Sequence, residues 1–147
     1  MMGDKTNNCD ALNCLLRGEL AATETYQQAM EKAGDAGPAA ELRQIRDEHR
    51  TAANAIRQHI HELGGKPDQD SGIWGAWAKA VEGTAKLFGN TTAMKALKEG
   101  EEHGIKSYED TLKDENVLTD CKTLIRSTLL PQTRAHIPVL DRLMGAQ

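Results

Sequence analysis

At 147 residues the chain is sized for a single domain with one core, and its 39% hydrophobic content is that of a soluble protein rich in alanine. A formal charge of −4 with both signs interspersed leaves no basic surface for nucleic acid. No apolar run approaches the ~18 residues of a spanning helix, so no stable membrane insertion is expected, and without a basic-then-apolar leader the expected location is cytoplasmic.

The first helix is predicted over about residues 8–33, closed by Gly34 and Gly37. Leu12, Leu15, Glu19, Ala22, Tyr26, Ala29 and Ala33 recur on it with the three-and-four spacing of one face. The second helix covers about 38–63 and stops at Gly64-Gly65 with Pro67 beyond. Its stripe is Leu42, Ile45, His49, Ala52, Ile56, Ile60 and Leu63. Residues 64–90 form a long link with an amphipathic segment of its own, carrying Trp74, Trp77, Val81, Ala85 and Phe88.

A third helix over 91–113 lines up Met94, Leu97, Glu101, Ile105, Tyr108 and Leu112. The fourth, over 116–144, lines up Leu118, Cys121, Ile125, Thr128, Gln132, Ala135, Val139 and Leu143. Pro131 and Pro138 fall inside this last pattern without stopping it, which predicts kinks and no break. Cys9, Cys14 and Cys121 form no CxxC, and Cys9 and Cys14 face different sides of one helix, so all three are read as reduced thiols.

Each stripe is apolar except near its middle, where Glu19, His49, Glu101 or Gln132 stands. Burying an unpaired carboxylate costs several kcal/mol, on the order of a domain's whole stability, so such groups must satisfy one another or hold something. The two short links make antiparallel hairpins, and the long one reads as a crossover running the length of the bundle. The first and third helices also repeat a motif: Gly18-Glu19 with Tyr26, and Gly100-Glu101 with Tyr108. All four polar residues are therefore expected in one layer.

The stretches LLRGELAATETY, SGIWGAWAKAVEGTAKLFG and ALKEGEEHGIKSYED resemble bacterial ferritin-like four-helix-bundle proteins of unknown function, within the wider ferritin-like superfamily. The resemblance spans nearly the whole chain and implies an all-α ferritin-like four-helix bundle, two antiparallel hairpins joined by a crossover containing a short helix. It also implies a comparison with dinuclear carboxylate centres, built from two single glutamates and two Glu-x-x-His motifs. Glu19, Glu101 and His49 match that pattern. Arg46 stands where the second helix needs Glu, and Leu129 and Gln132 stand where the fourth needs Glu and His.

Arg46 is close in phase to the buried stripe and is expected to neutralise Glu19 or Glu101. Tyr26 and Tyr108 lean back toward the glutamates, and His136, one turn from Gln132, is an off-centre candidate ligand. The leading expectation is a self-satisfied polar layer of Glu19, Glu101, Arg46, His49, Gln132 and the two tyrosines, in a binding or structural protein and not an enzyme. The alternative is a metal-binding protein holding a single iron, manganese or zinc ion through Glu19, His49 and Glu101, as a degenerate form of a di-metal oxidase. A third reading uses Trp74 and Trp77 on the crossover as a face for a second copy of the chain. Arg46 separates the first two, since a cation pointing inward disfavours an ion.

Overall fold

The computed structural model describes residues 2–33, 39–70, 77 and 91–145. Within them every regular element is helical and none is a strand. Helix α1 is Met2–Ala33, α2 is Ala39–Glu62 and α3 is Thr91–Lys113. The last rod is composite, with α4 over Thr119–Leu124, a π-helical turn over Ile125–Leu129 and α5 over Leu130–Gly145. The expected helix of the long link lies outside the described residues, apart from Trp77.

Gly64 ends α2 by adopting φ +80°, where a side chain would be strained. Its N–H bonds the His61 carbonyl and the Gly65 N–H bonds that of Ile60, each at 2.9 Å, which satisfies two carbonyls of the last turn. The chain leaving α2 is then pinned to α1. Asn13 donates to the Lys66 carbonyl at 3.1 Å and accepts from the Asp68 N–H at 2.8 Å, while Arg17 pairs with Asp68.

Cross-helix contacts set the directions of the rods. Asn13 meets Lys66 and Gln27 meets Arg46, so α1 and α2 run antiparallel. Lys98 meets Asp141 and Glu109 meets Arg134, which does the same for α3 and α5. Tyr26 meets Glu101 while Tyr108 meets Glu19, so α1 and α3 are also antiparallel. Glu48 meets His136 and His59 approaches Cys121, which orients α2 against the last rod. The end of α2 and the start of α3 therefore lie at opposite ends of the bundle.

Apolar side chains form two clusters. One gathers Leu12, Leu16, Ile56, Ile60, Ile125 and Leu129; the other gathers Ala29, Leu42, Ile45, Met94, Leu97 and Leu140. On each rod the mid-helix polar residues fall between the two. Among the described residues Leu118 is the one large apolar side chain well exposed. Neither Cys14 nor Cys121 forms a disulfide among the described residues, and the Cys9 side chain lies outside them.

The π turn explains the main departure from the expected fourth stripe. Leu130 N–H reaches back to the Ile125 carbonyl, five residues away, and Pro131 follows with no N–H to give. One extra residue is absorbed, so the inward positions that follow, as far as Leu140, are one number higher than a regular helix predicts, while Leu143 is buried as expected. Leu129, Thr133, His136 and Leu140 are buried in place of Thr128, Gln132, Ala135 and Val139. At Pro138 the helix simply continues.

Trp77 corrects the reading of the link as an outward face at that position. It is buried in its own chain, edge-on to Tyr26 and His49, with its ring against Gly100; Trp74 lies outside the described residues. A Cβ at position 100 would come within 2.7 Å of the indole. Gly100→Ala must displace a packed ring and is expected to cost about 1–3 kcal/mol. Denaturant melts, with Trp77 fluorescence followed in a Trp74→Phe background, check this; an unchanged midpoint and spectrum would show that the ring does not depend on Gly100.

Candidate functional site

The site is assembled by the Glu/Tyr repeat. Seven residues separate Glu from Tyr on each helix, two turns along the same face. In an antiparallel pair that spacing sets each tyrosine level with the other helix's glutamate. Tyr26 donates to Glu101 Oε2 at 2.7 Å and Tyr108 donates to Glu19 Oε1 at 2.8 Å.

Between the carboxylates α2 inserts His49. Its Nδ1 lies 2.8 Å from Glu19 Oε2 and its Nε2 lies 2.7 Å from Glu101 Oε2. From α5, His136 sets Nδ1 2.9 Å from Glu101 Oε1, and its Nε2 lies 2.7 Å from Glu48 Oε1. The two imidazoles are 4.8 Å apart, and Tyr26 stacks on His49. Glu19, His49, Glu101 and His136 are all 5% exposed or less. Among the described residues no buried side-chain polar atom lacks a partner.

The electrostatics follow from this order. Burial works against a charge on His49, but Glu101 and then Glu19 overcome it and hold its pKa well above 6.5. Burial likewise opposes ionisation of Glu101, yet the charge of His49 and the hydrogen bond from His136 bring it down to about 2. Burial, with Glu101 at Tyr26 and Glu19 at Tyr108, pushes both phenols up, so they remain donors.

Gln132 and Arg46 are not members of the layer. Gln132 is half-buried and lines a groove between α2 and α5, because the π turn gives its inward place to Thr133. Thr133 spends its hydroxyl on the Leu129 carbonyl. Arg46 turns outward, its side chain 15% exposed and its guanidinium spent on Gln27 and the exposed Asp47. Neutralisation of the glutamates comes instead from His49 and His136.

Glu48 escapes the stripe reading because it stands one position from His49, about 100° around the helix. Only the register shift after Ile125, hinted at by Pro131, brings His136 into its reach. The nitrogens and oxygens of His49, Glu101 and His136 offer one ligand atom each within 4.8 Å of one another. Glu19 lies on the far edge of the His49 ring, and Glu48 on the far edge of His136. Glu19, His49 and Glu101 thus do not surround one point, whereas His49, Glu101 and His136 do.

The chain matches the family described as domain of unknown function, DUF2383, over residues 7–114. No curated protein and no solved structure matches it. The matched stretch contains Glu19, Tyr26, Glu48, His49, Glu101 and Tyr108, while His136 lies beyond it.

Two outcomes are expected. Glu101→Ala leaves both imidazoles without their shared carboxylate and should cost about 3–5 kcal/mol, the range for a broken buried pair. Arg46→Ala removes a partly solvated contact and should cost about 1 kcal/mol or less. Urea unfolding of both variants tests the ordering, and equal losses would contradict it.

Stability should also depend on pH on both flanks. The contribution of Glu101 is present above its ordinary 4.5 and is lost as pH falls toward about 2. That of His49 is complete below 6.5 and is lost as pH rises through its raised folded value. Unfolding midpoints should therefore be highest between these two ordinary values; a midpoint that climbs steadily into the alkaline range would contradict the assignment of His49.

Proposed function

We propose that this chain, which belongs to the DUF2383 family of domains of unknown function, is a ferritin-like bundle that binds one divalent transition-metal ion in its central layer. His49, Glu101 and His136 would hold the ion. The ferritin-like topology is supported by the antiparallel neighbours and by α2 ending opposite the start of α3.

One observation carries the metal reading. Each imidazole presents one nitrogen to Glu101 and the other to a carboxylate of its own, Glu19 for His49 and Glu48 for His136. That is the outer support by which metal-binding histidines are oriented and made more basic. The donor set fits once the side chains close in. Its atoms lie within 4.8 Å of one another, and around a tetrahedral ion with metal–nitrogen bonds of about 2.1 Å they would stand about 3.4 Å apart, so the widest separation must shrink by roughly an ångström or more.

Imidazole nitrogen with carboxylate oxygen suits iron, manganese or zinc. Bound there, such an ion would supply a Lewis-acidic centre shielded from solvent. A second ion is disfavoured, because Arg46 and Thr133 stand where bridging glutamates would be needed.

Charge balance supports the exchange. A hydrogen bond at each Glu101 contact requires one proton between the imidazole and the carboxylate. A dication entering there displaces both protons and leaves the charge of the layer unchanged. Arg46, the residue that distinguishes the readings, points away and opposes nothing. A second reading is favoured by the pairing of every buried side-chain polar atom among the described residues. In it the layer stays filled by protons and serves to hold the helices in register.

Titration of metal-free protein with zinc, manganese or, without oxygen, ferrous iron should give one ion per chain and release about two protons. His49→Ala and His136→Ala should each abolish tight uptake. Failure of the wild-type protein to take up any of the three would favour the architectural reading; two ions per chain would refute both.

A further inference from the structure

We infer that the seam between α2 and α5 is the entrance to the central layer, and that Glu48 is the ligand on which an arriving cation first lands. This rests on the metal reading above and adds to it the route and the residue. Four members of the layer are closed to solvent, whereas the Glu48 side chain is 29% exposed. It is where the buried chain of contacts reaches the surface. One of its oxygens meets His136 Nε2 at 2.7 Å, and the other accepts from Gln44 at 3.3 Å.

Two hollows meet at this carboxylate. One of about 340 Å³ is bounded by Gln44, Asp47, Glu48 and Thr51. A smaller one of about 160 Å³ is bounded by Glu41, Gln44, Glu48 and by His136 itself. Asp47 is engaged by Arg46, and Arg43 and Arg142 also line these hollows, so the pull on a hydrated dication comes from the Glu48 carboxylate itself with Glu41 on the same wall.

Among the described residues, the opposite side of the layer shows only a narrow opening. There a hollow of only about 10 Å³ touches Glu19, His49, Glu101 and Tyr108, with Trp77 and Gly100 also in its wall. That is room for about one water. An ion approaching from this side must displace a packed indole; from the α2–α5 side it need only separate Glu48 from His136.

Cobalt(II) is a suitable probe, because its visible absorption reports the ligand set and its uptake can be followed by stopped flow. Thr51→Trp on α2 and Gln132→Trp on α5 place bulk on the two lips of the seam, at positions that line it without contacting Glu48, His136 or the other ligands through a hydrogen bond. Both should slow cobalt uptake about tenfold or more, leaving the final spectrum and the one-to-one endpoint unchanged. Glu48→Gln should slow it by a similar factor through loss of the landing charge. Arg126→Trp, in a groove between α3 and α5 remote from Glu48, should load at the wild-type rate. If the wild-type protein takes up cobalt while both lip variants load as fast as it does, the entrance is wrong and the metal reading stands. If the wild-type protein takes up none, both fall.

Discussion

The Glu101 carboxylate ties the structure together. It is fully buried on α3, and its two oxygens meet three donor groups: Tyr26 from α1, His49 from α2 and His136 from α5. One anion therefore contacts every other rod at a single level. Apolar packing on either side supplies the non-directional part of stability, but it tolerates sliding. A buried carboxylate does not, since losing any partner leaves charge uncompensated at a cost of several kcal/mol.

The repeat in the sequence becomes an inexact two-fold in space. Glu19 and Glu101 each receive the other helix's tyrosine, and His49 lies between them. The symmetry stops at the second imidazole. His136 meets Glu101 and not Glu19, so one glutamate serves two rings and the other serves one. The asymmetry places the compact donor cluster off the midline, toward the seam that opens to solvent. On the other flank Trp77 closes the layer, and Gly100 is what lets the indole approach so closely.

Much of this was legible in the residues. The stripes of α1, α2 and α3 located Glu19, His49 and Glu101 in the interior, because a 3.6-residue period holds along an unbroken helix. The tyrosines followed from their seven-residue spacing. The fourth rod was misread in phase, and for a local reason: periodicity cannot show where a helix takes on an extra residue. Gln132 was therefore placed inside and His136 off centre, though Pro131 marked the spot. Arg46 was misassigned differently. Helical phase places a Cβ but not the end of a long side chain, and a guanidinium with a route to water takes it. Glu48 was invisible because it contacts the layer only through His136.

The π turn between α4 and α5 bears on how this chain tolerates changes in length. Arg126, Ser127 and Thr128 are exposed, while Ile125 and Leu129 at the ends of the turn are buried. Losing one of the three exposed residues lets the turn relax to ordinary α-helix while Thr133, His136 and Leu140 keep their places. The same loss inside α5 rotates everything after it by about 100° relative to the core. A related chain one residue shorter here would therefore carry the same interior through a continuous rod, and the two align correctly only when the gap is opened inside this turn.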